Sequence, residues 1–323
     1  MQNVLCQFRD IGGIMKKKNG FISTTVVYTF FFVFLMMLLF VVRSYASNRQ
    51  ILRVLKTDVK NDISDSYLSR YLINHKDETA INLTYHNEAL ANGAKDFSYR
   101  FSGANPNNYI CIASTASPCP TNNLYRIIGV IDGRVKVIKY TSLGNMQWNN
   151  FASSSWANSS LITYLNSTYL NTLGTTKDLI EENSWYVLGL SLSDGSGRVQ
   201  NAYNKEVGPN KPTQNAVVKK IGLMYASDYG YATTSNYWTS NLASYSSTVI
   251  KNNNWLDNFN ENMWILPPVI DASNTLAYYL KADGAVGYSS VMTSYAIRPT
   301  FYLKSSVKKQ SGSGTYSDPY RIG

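Results

Sequence analysis

Two short segments combine acidic and amide side chains with aromatic rings, the residue types that hold sugars and hard cations. They are residues 228–231 (DYGY) and 255–258 (WLDN). Aromatic faces stack on sugar rings, whereas carboxylate and amide oxygens bind hydroxyl groups or Ca²⁺. The alternative is that the rings belong to the core, because large aromatic side chains serve mostly in burial. The candidate ligand-binding residues are Asp228, Tyr229, Tyr231, Trp255, Asp257 and Asn258.

Residues suited to catalysis or to a His/Cys metal centre are scarce. The two histidines, His75 and His86, both precede the segment expected to form the main domain, and no Gly-x-Ser-x-Gly pattern occurs. A Ser-His-Asp site is therefore not indicated. The cysteines lack a nearby histidine and supply half of a tetrahedral zinc set. We expect a protein that is not an enzyme, with no metal site of this kind; Ca²⁺ is the one ion that the oxygen-rich segments would take.

Cys111 and Cys119 enclose seven residues that include Pro118. A disulfide across so short a loop is geometrically plausible and would persist outside the cytoplasm. It would stabilise the fold by roughly 2–3 kcal/mol. Two free thiols are the alternative. We expect the disulfide, because the composition of the following segment suits an exported domain.

The strongest single feature is the uncharged, 22-residue run at residues 21–42. As a helix it would span about 33 Å, close to the ~30 Å hydrocarbon core of a bilayer. The sequence thus predicts one transmembrane helix. Basic residues on both sides of the run leave its orientation open, but the composition downstream, rich in Tyr, Asn, Ser and Thr and with a closely spaced cysteine pair, predicts that the chain beyond it lies outside the cell. Met15, which precedes three lysines and the apolar run, is the expected start of translation, within a leader at residues 1–20.

Residues 16–21 (KKKNGF) resemble the prepilin signal, a short basic leader with Gly before an apolar helix. This resemblance implies cleavage after Gly20 and a new N-terminal Phe21. It also implies pilin-like assembly partners. The chain departs from the pattern at Thr25, where pilins usually carry Glu. A minor pilin-like subunit or a plain membrane anchor therefore both stay open.

The charge distribution argues against nucleic acid as a partner. Residues 1–60 hold nine basic and two acidic side chains, so that most of the net charge of +10 flanks the apolar run. There it can meet the anionic headgroups of the lipid bilayer. A nucleic-acid-binding protein usually carries its basic excess on the folded domain. Charged residues make up only 15% of the chain, but an aromatic content of 13% excludes a disordered chain.

The clearest local structure is a hairpin over residues 126–140. Two β-branched runs joined by Asp132-Gly133 predict a type I′ turn. Alternation on the second strand places Val135 and Val137 on one face and Arg134 and Lys136 on the other, as in a half-buried antiparallel strand whose charged face meets solvent. That alternation breaks at Lys139, where we expect a bulge or the end of the strand.

A helix is expected after the capping residues 155–158, with a stripe of Leu161, Leu165, Tyr169 and Leu173 that ends at Gly174. Short apolar runs predict the remaining strands, the fourth turning at Asp283-Gly284 and the last with Pro299 at an edge or a bulge. These strands are residues 185–192, 217–225, 263–266, 277–281 and 295–303. Short strands, few helices and long polar connections indicate an α+β domain. We expect a helical stalk at residues 43–74, a segment leading into the domain at 75–105, and a globular ectodomain at 106–323.

Several phrases in the second part of the chain occur together and resemble a functionally uncharacterised family of surface proteins from low-GC Gram-positive bacteria. They are residues 98–103 (SYRFSG), 108–111 (NYIC), 119–129 (CPTNNLYRIIG), 220–225 (KIGLMY), 227–232 (SDYGYA), 297–299 (IRP), 311–315 (SGSGT) and 318–320 (DPY). The resemblance implies a C-type-lectin-like ectodomain, of the superfold shared with formylglycine-generating enzymes, joined to a membrane anchor or prepilin-like segment. The family supplies no catalytic residues.

These observations lead to one expected function and two alternatives. The expected function is that of a single-pass cell-membrane protein whose extracellular domain binds a carbohydrate or a surface protein in adhesion. The first alternative is a minor pilin-like subunit of a surface filament. The second is an unusual enzyme of the formylglycine superfold, although that chemistry needs a reactive cysteine pair late in the domain and the chain has no cysteine after Cys119.

Overall fold

A computed structural model describes residues 32–38, 66–78, 81–187, 189–209, 211, 216–257, 260–270 and 273–323. The chain divides into two compact units, Met1–Ile63 and Ser64–Gly323. In the first unit, residues 32–38 form a helix (α1). Among the described residues, none of the helices has the length and apolar character that a bilayer crossing needs. The expected leader with Met15, Gly20 and Phe21, and all of residues 21–42 except 32–38, lie outside the described residues.

The second unit is built mainly of short strands. The strands are β1 (Leu83–Tyr85), β2 (Tyr99–Phe101), β3 (Tyr109–Ile112), β4 (Leu124–Ile131), β5 (Arg134–Lys139), β6 (Asn145–Gln147), β7 (Ile180–Glu181), β8 (Asn183–Tyr186), β9 (Ala216–Lys219), β10 (Ile221–Gly222), β11 (Met263–Pro268), β12 (Leu276–Leu280), β13 (Val286–Ser290), β14 (Ser294–Ala296), β15 (Thr300–Leu303) and β16 (Tyr320–Ile322). The α-helices are α2 (Leu68–Asn74), α3 (Ser160–Tyr164), α4 (Leu170–Thr172), α5 (Thr176–Leu179), α6 (Leu192–Gly195), α7 (Val199–Glu206), α8 (Ala226–Tyr231) and α9 (Thr248–Lys251).

The largest sheet runs in the order β1-β2-β4-β5-β15-β10. Strand β3 also pairs with β4, β16 pairs with β3, and β7 pairs with β15. Only the β3–β16 pair is parallel in this sheet, among the described strands. A second sheet has the order β13-β12-β11-β14-β6, and β8 pairs with β9 alone. Mostly antiparallel sheets with short helices make this unit an α+β fold, as expected.

The predicted hairpin is confirmed as β4 and β5. Its turn residues Asp132 and Gly133 have φ angles of 50° and 73°, the positive values that a type I′ turn requires. Strand β5 ends at Lys139, as expected, and the irregular register lies in β4 between Ile127 and Gly129. The prediction for Lys136 was wrong, because its side chain is buried rather than solvent-facing.

The predicted long helix begins one residue later than expected. The hydroxyl oxygen of Ser159 accepts a hydrogen bond from the backbone N–H of Ile162, so Ser159 is the N-cap of α3. A π-helical turn at Leu165–Tyr169 joins α3 to α4, which ends at Thr172, shortly before Gly174. The side chains of Leu161, Leu165 and Tyr169 are buried, as their spacing predicts.

Three of the five expected strands are shorter or interrupted, the one expected at 277–281 is shifted by one residue as β12, and the one expected at 263–266 continues to Pro268 as β11. The run expected at 185–192 forms a strand only as far as Tyr186, and Ser191 near its end is the N-cap of a helix, α6. The run at 217–225 divides into β9 and β10, and its last residue precedes helix α8. The run at 295–303 divides into β14 and β15 around Pro299, which has no N–H to donate to a sheet. The hairpin at Asp283-Gly284 is confirmed between β12 and β13.

The globular fold begins well before residue 106. Helix α2, in the expected stalk, buries Leu68 and Leu72 completely. The segment expected to lead into the domain supplies β1 and β2, which extend the largest sheet. This happens because residues 81–101 carry apolar side chains, such as Leu83 and Phe101, that are buried in the core. The part of the expected stalk at residues 43–65 lies outside the described residues.

Candidate functional site

A cleft of about 820 Å³ opens on one side of the Ser64–Gly323 unit. Its walls come from the loop before β2, the β4–β5 hairpin, strand β8, and helix α7 with the turn that follows it. The floor lies where α8 meets β5 and β15. We call the whole cavity the cleft, and its volume is that of a small-molecule binding site.

Four charged side chains meet at the floor of the cleft, and we call them the ion network. Arg100 Nη2 lies 2.9 Å from Asp96 Oδ2, and its Nη1 lies 3.4 Å from Asp228 Oδ1. Lys136 Nζ lies 2.5 Å from the other oxygen of Asp228. The side chains of Arg100, Lys136 and Asp228 are at most 3% exposed, whereas that of Asp96 is 21% exposed. Two positive and two negative groups therefore balance each other away from water.

The sheet register brings the two cations of the network together. Arg100 on β2 pairs with Gly129 on β4, and Gly129 pairs with Lys136 on β5. The two long side chains thus belong to one row across three strands, with a glycine between them. An added Cβ at Gly129 would lie 2.2 Å from the carbonyl oxygen of Tyr99, so the close approach of β2 and β4 requires glycine there.

Helix α8 supplies the acid that joins the two cations. Asp228 lies in its first turn, where the carboxylate Oδ2 accepts a hydrogen bond from the backbone N–H of Tyr225 at 2.9 Å. This contact holds the carboxylate at the N-terminal end of the helix, where negative charge is favourable. Asp228 is therefore fixed by the backbone as well as by Arg100 and Lys136.

Aromatic rings surround the ion network. The ammonium of Lys136 lies 4.8 Å from the ring centre of Tyr225 and 5.4 Å from that of Tyr302. The guanidinium of Arg100 lies 5.7 Å from the ring centre of Tyr203 and 5.5 Å from that of Tyr231. Such cation–π contacts attract a positive charge to the face of an aromatic ring in a site with little water.

The acid at the edge of the network stays ionised. Burial raises the pKa of Asp96, but the positive charge of Arg100 and hydrogen bonds from Ser98 outweigh it, and the pKa falls to about 2. Burial lowers the pKa of Arg100, but the negative charges of Asp96 and Asp228 raise it by more. The net shift of this pKa is therefore upward. Asp96 and Arg100 are therefore both charged at physiological pH.

Two other buried titratable groups lie close to the floor. The carboxyl group of Glu206 accepts hydrogen bonds from the backbone N–H groups of Ala226 and Ser227, at 2.9 and 3.0 Å. Burial raises its pKa to about 8 despite these contacts. Burial also lowers the pKa of His86 to about 3, with help from Arg100, so its ring is neutral. The His86 ring packs against Tyr231 and Trp238, which is a structural role.

The structure separates the six candidate ligand-binding residues. Asp228 lines the cleft. Tyr229, Tyr231 and Trp255 are at most 1% exposed and lie in the core, so their ring faces are not available to stack on a sugar. The two tyrosines belong to helix α8, which is buried on every side. Trp255 is held in the core by the hydrogen bond that its Nε1 donates to the carbonyl oxygen of Phe101 at 2.9 Å. Asn258 lies outside the described residues.

Asp257, the remaining candidate, is buried away from the cleft. It is 5% exposed, and neither carboxylate oxygen has a hydrogen-bond partner among the described residues. Burial raises its pKa to about 7. As for a Ca²⁺ site, the described residues contain no group of three or more His, Cys, Asp or Glu side chains that could hold a metal ion.

The disulfide between Cys111 and Cys119 is confirmed, with a Cα–Cα distance of 6.0 Å. Cys111 belongs to β3, and Cys119 lies in the loop that leads to β4. The bond therefore closes the connection between two paired strands of the largest sheet. It lies outside the lining of the cleft and has a structural role.

Sequence reasoning missed Asp96, Arg100 and Lys136, three of the four members of the ion network. A sequence signal existed for Lys136, a charged residue between valines that line the core. Nothing in the sequence showed that β2 and β5 flank the same glycine, however, because that depends on the order of strands in the sheet.

Comparisons of the chain with protein-family models, with curated proteins and with solved structures find no match.

Proposed function

We propose that this chain is a membrane-anchored surface protein whose Ser64–Gly323 unit binds carbohydrate in the cleft. The observation that carries the proposal is the cleft itself, with a floor of fixed charges and walls of hydrogen-bonding side chains and tyrosine rings. Carbohydrates present hydroxyl groups in several directions together with apolar ring faces, and such walls complement both.

The polar side chains of the walls favour a sugar over an apolar ligand. Asn183 and Ser184 line the cleft from β8, and Gln200 and Asn204 line it from α7. Amide and hydroxyl groups both donate and accept hydrogen bonds, as a polyhydroxylated ligand needs. The half-buried ring of Tyr186 lies on the same wall as Asn183, where a sugar ring could stack.

Anchoring and export are the second part of the proposal. The uncharged run at residues 21–42 supports a single membrane span, and the disulfide supports an extracellular location for the second unit. We propose a C-type-lectin-like form of the α+β fold for this unit. The support is its short antiparallel sheets, its long connections and the pairing of its last strand, β16, with β3, near the start of the domain.

A glycan array tests the binding function. The full chain, purified in mild detergent, is applied with and without Ca²⁺, and any bound glycan is then titrated against the variant Asn204→Ala. Asn201→Ala is the matched control, because Asn201 lies on the same helix but is exposed and does not line the cleft. We expect a loss of affinity of about five- to tenfold for Asn204→Ala only. An array without binding, or equal losses in both variants, would refute a carbohydrate site in the cleft.

Protease treatment of intact cells tests the location. We expect release of the Ser64–Gly323 unit, and no labelling of Cys111 or Cys119 by a thiol reagent before reduction. A unit that stays intact on cells, with both thiols reactive, would contradict the extracellular proposal.

A further inference from the structure

Two half-buried cations on one wall of the cleft are held in place by uncharged partners. Arg134 Nη2 donates a hydrogen bond to Asn183 Oδ1 at 3.0 Å, and its guanidinium lies 4.7 Å from the ring centre of Tyr302. Lys211 Nζ lies 5.3 Å from the ring centre of Tyr186. Both cations line the cleft. We call Arg134 and Lys211, with these tyrosines, the basic wall.

The charge of the basic wall is not neutralised within the described protein. The ion pairs found among the described residues involve neither Arg134 nor Lys211. Arg134 has no hydrogen bond from Nε or Nη1 to a described residue. The amide of Asn183 and the ring of Tyr302 orient the guanidinium but carry no negative charge. The N–H groups of Nε and Nη1 therefore stay available to bind a carboxylate.

By formal count the other charges of the cleft sum to −2 and balance the basic wall, but each of them is either paired in the ion network or exposed to solvent. Arg100 and Lys136 are matched by Asp96 and Asp228 within the ion network. Four further charged side chains line the cleft and are exposed, so water and salt screen them. They are Glu88, Lys95, Asp132 and Glu182. The two half-buried cations are therefore the ones that interact most strongly with a ligand inside the cleft.

The two cations are spaced along strand β8. Asn183, which orients Arg134, and Tyr186, which lies under Lys211, are three residues apart. At the usual rise of a strand the Cα atoms of these two residues are about 10 Å apart. An oligosaccharide with acid groups on different sugar units can place one of them beside each cation.

From this arrangement we infer that the ligand of the cleft is an acidic oligosaccharide, whose carboxylates bind Arg134 and Lys211 while its hydroxyl groups meet the amides of the walls. This inference rests on the proposed function and adds the chemical class of the sugar. The side chain of Asn183 is a positioning group in this arrangement, because it acts on the ligand through Arg134.

The test compares an acid with its neutral counterpart. The full chain in mild detergent is titrated by calorimetry with a trimer of galacturonic acid and with the same trimer as its methyl ester, which lacks the charges. We expect the acid to bind at least about tenfold more tightly, since a hydrogen bond to a charged group is among the stronger ones. We also expect the affinity for the acid to fall when NaCl is raised from low to high concentration.

Variants locate the charge recognition. Arg134→Gln and Lys211→Gln should each reduce affinity for the acid about tenfold, and with it the preference for the acid over the ester. Lys219→Gln is the matched control, because Lys219 is exposed on β9, next to β8, and does not line the cleft. Circular dichroism and the melting temperature check that each variant is folded.

The outcomes separate this inference from the proposed function. Equal binding of acid and ester, binding of the ester alone, or losses in Lys219→Gln as large as in Arg134→Gln would overturn the acidic ligand and leave a carbohydrate site standing. Failure of both trimers to bind overturns the acidic ligand as well. Only if the glycan array also shows no binding does the proposed function fail with it.

Discussion

The substitution Asp228→Asn should be among the most destabilising single changes in the chain. It removes the negative charge that joins Arg100 and Lys136 while keeping the size of the side chain. One of the two buried cations then lacks a charge partner, since Asp96 can balance only one. Removing one partner of a buried ion pair costs about 3–5 kcal/mol, because the other charge stays desolvated. For a domain of this size, the melting temperature should fall by roughly 10 °C.

A double-mutant cycle separates pairing from other effects of the substitution. Lys136→Met alone should cost less, about 1–3 kcal/mol, because Asp228 keeps Arg100 and the backbone N–H of Tyr225 as partners. The double variant should be more stable than the sum of the single losses predicts, by at least about 1 kcal/mol, because it leaves no unpaired Lys136.

Unfolding in urea, followed by tryptophan fluorescence, measures these free energies. The six tryptophans are all buried, so their emission reports loss of the core. Lys219→Met, a change of the same type at an exposed position, is the control and should lie within about 0.5 kcal/mol of the natural protein. The reasoning is refuted if Asp228→Asn costs less than about 1 kcal/mol, or if the losses of Asp228→Asn and Lys136→Met simply add.

Three further changes test the electrostatics and the disulfide. The pKa of Asp96 is lowered from 3.8 to about 2, so it contributes about 2 kcal/mol that is present above pH 4 and lost as the pH falls toward 2. In the variant Asp96→Asn, the free energy of unfolding should therefore depend less on pH in that interval. An unchanged pH dependence there would contradict this reasoning. The pKa of Asp257 is raised from 3.8 to about 7, so its contribution is fully present below pH 4 and lost as the pH rises through 7. Asp257→Asn should therefore melt higher than the natural protein at pH 8 and close to it at pH 4; an equal change at both pH values counts against a buried acid without partners. Replacing both Cys111 and Cys119 by Ser should lower the free energy of unfolding by about 2–3 kcal/mol in urea, and a loss below about 0.5 kcal/mol would show that the loop needs no crosslink.

Features encoded by neighbouring residues were predictable from the sequence. The turn at Asp132-Gly133 is an example, because positive φ at two successive positions is a local requirement that Asp-Gly satisfies. The disulfide is another, since its two cysteines are separated by eight positions and the loop can close on itself. In both cases the deciding interactions lie within a dozen residues.

The ion network was not predictable, because its contacts join distant parts of the chain. Lys136 and Asp228 are 92 positions apart, and Arg100 and Asp228 are 128 apart. The alternation of apolar and charged residues along β5 predicted that Lys136 faces solvent, on the assumption that one face of the sheet is exposed. The structure covers that face with helix α8, and the acid on this helix makes burial of the lysine tolerable.

The positions of the tyrosines in the fold were also not predictable from the sequence. The segment at 228–231 resembles a sugar-binding loop because it joins an acid to two tyrosines. It forms a helix instead, because Asp228 can accept the backbone N–H of Tyr225 and start a turn. The tyrosines of that helix then pack inward, while Tyr186, which has no acid beside it in the sequence, lines the cleft.

The position of the ion network bears on why the fold keeps four charges beneath the cleft. Buried ion pairs gain little stability over apolar side chains of similar volume, because the cost of desolvation offsets most of the attraction. Stability alone therefore does not explain well why Arg100, Lys136 and Asp228 occupy these buried positions. Ligand binding gives a stronger explanation, because a polar ligand in the cleft then meets charged groups that are already dehydrated and oriented. If this is correct, replacing Lys136 and Asp228 together by Met and Leu should leave the protein folded and weaken sugar binding, whereas a scaffold role alone predicts unchanged affinity.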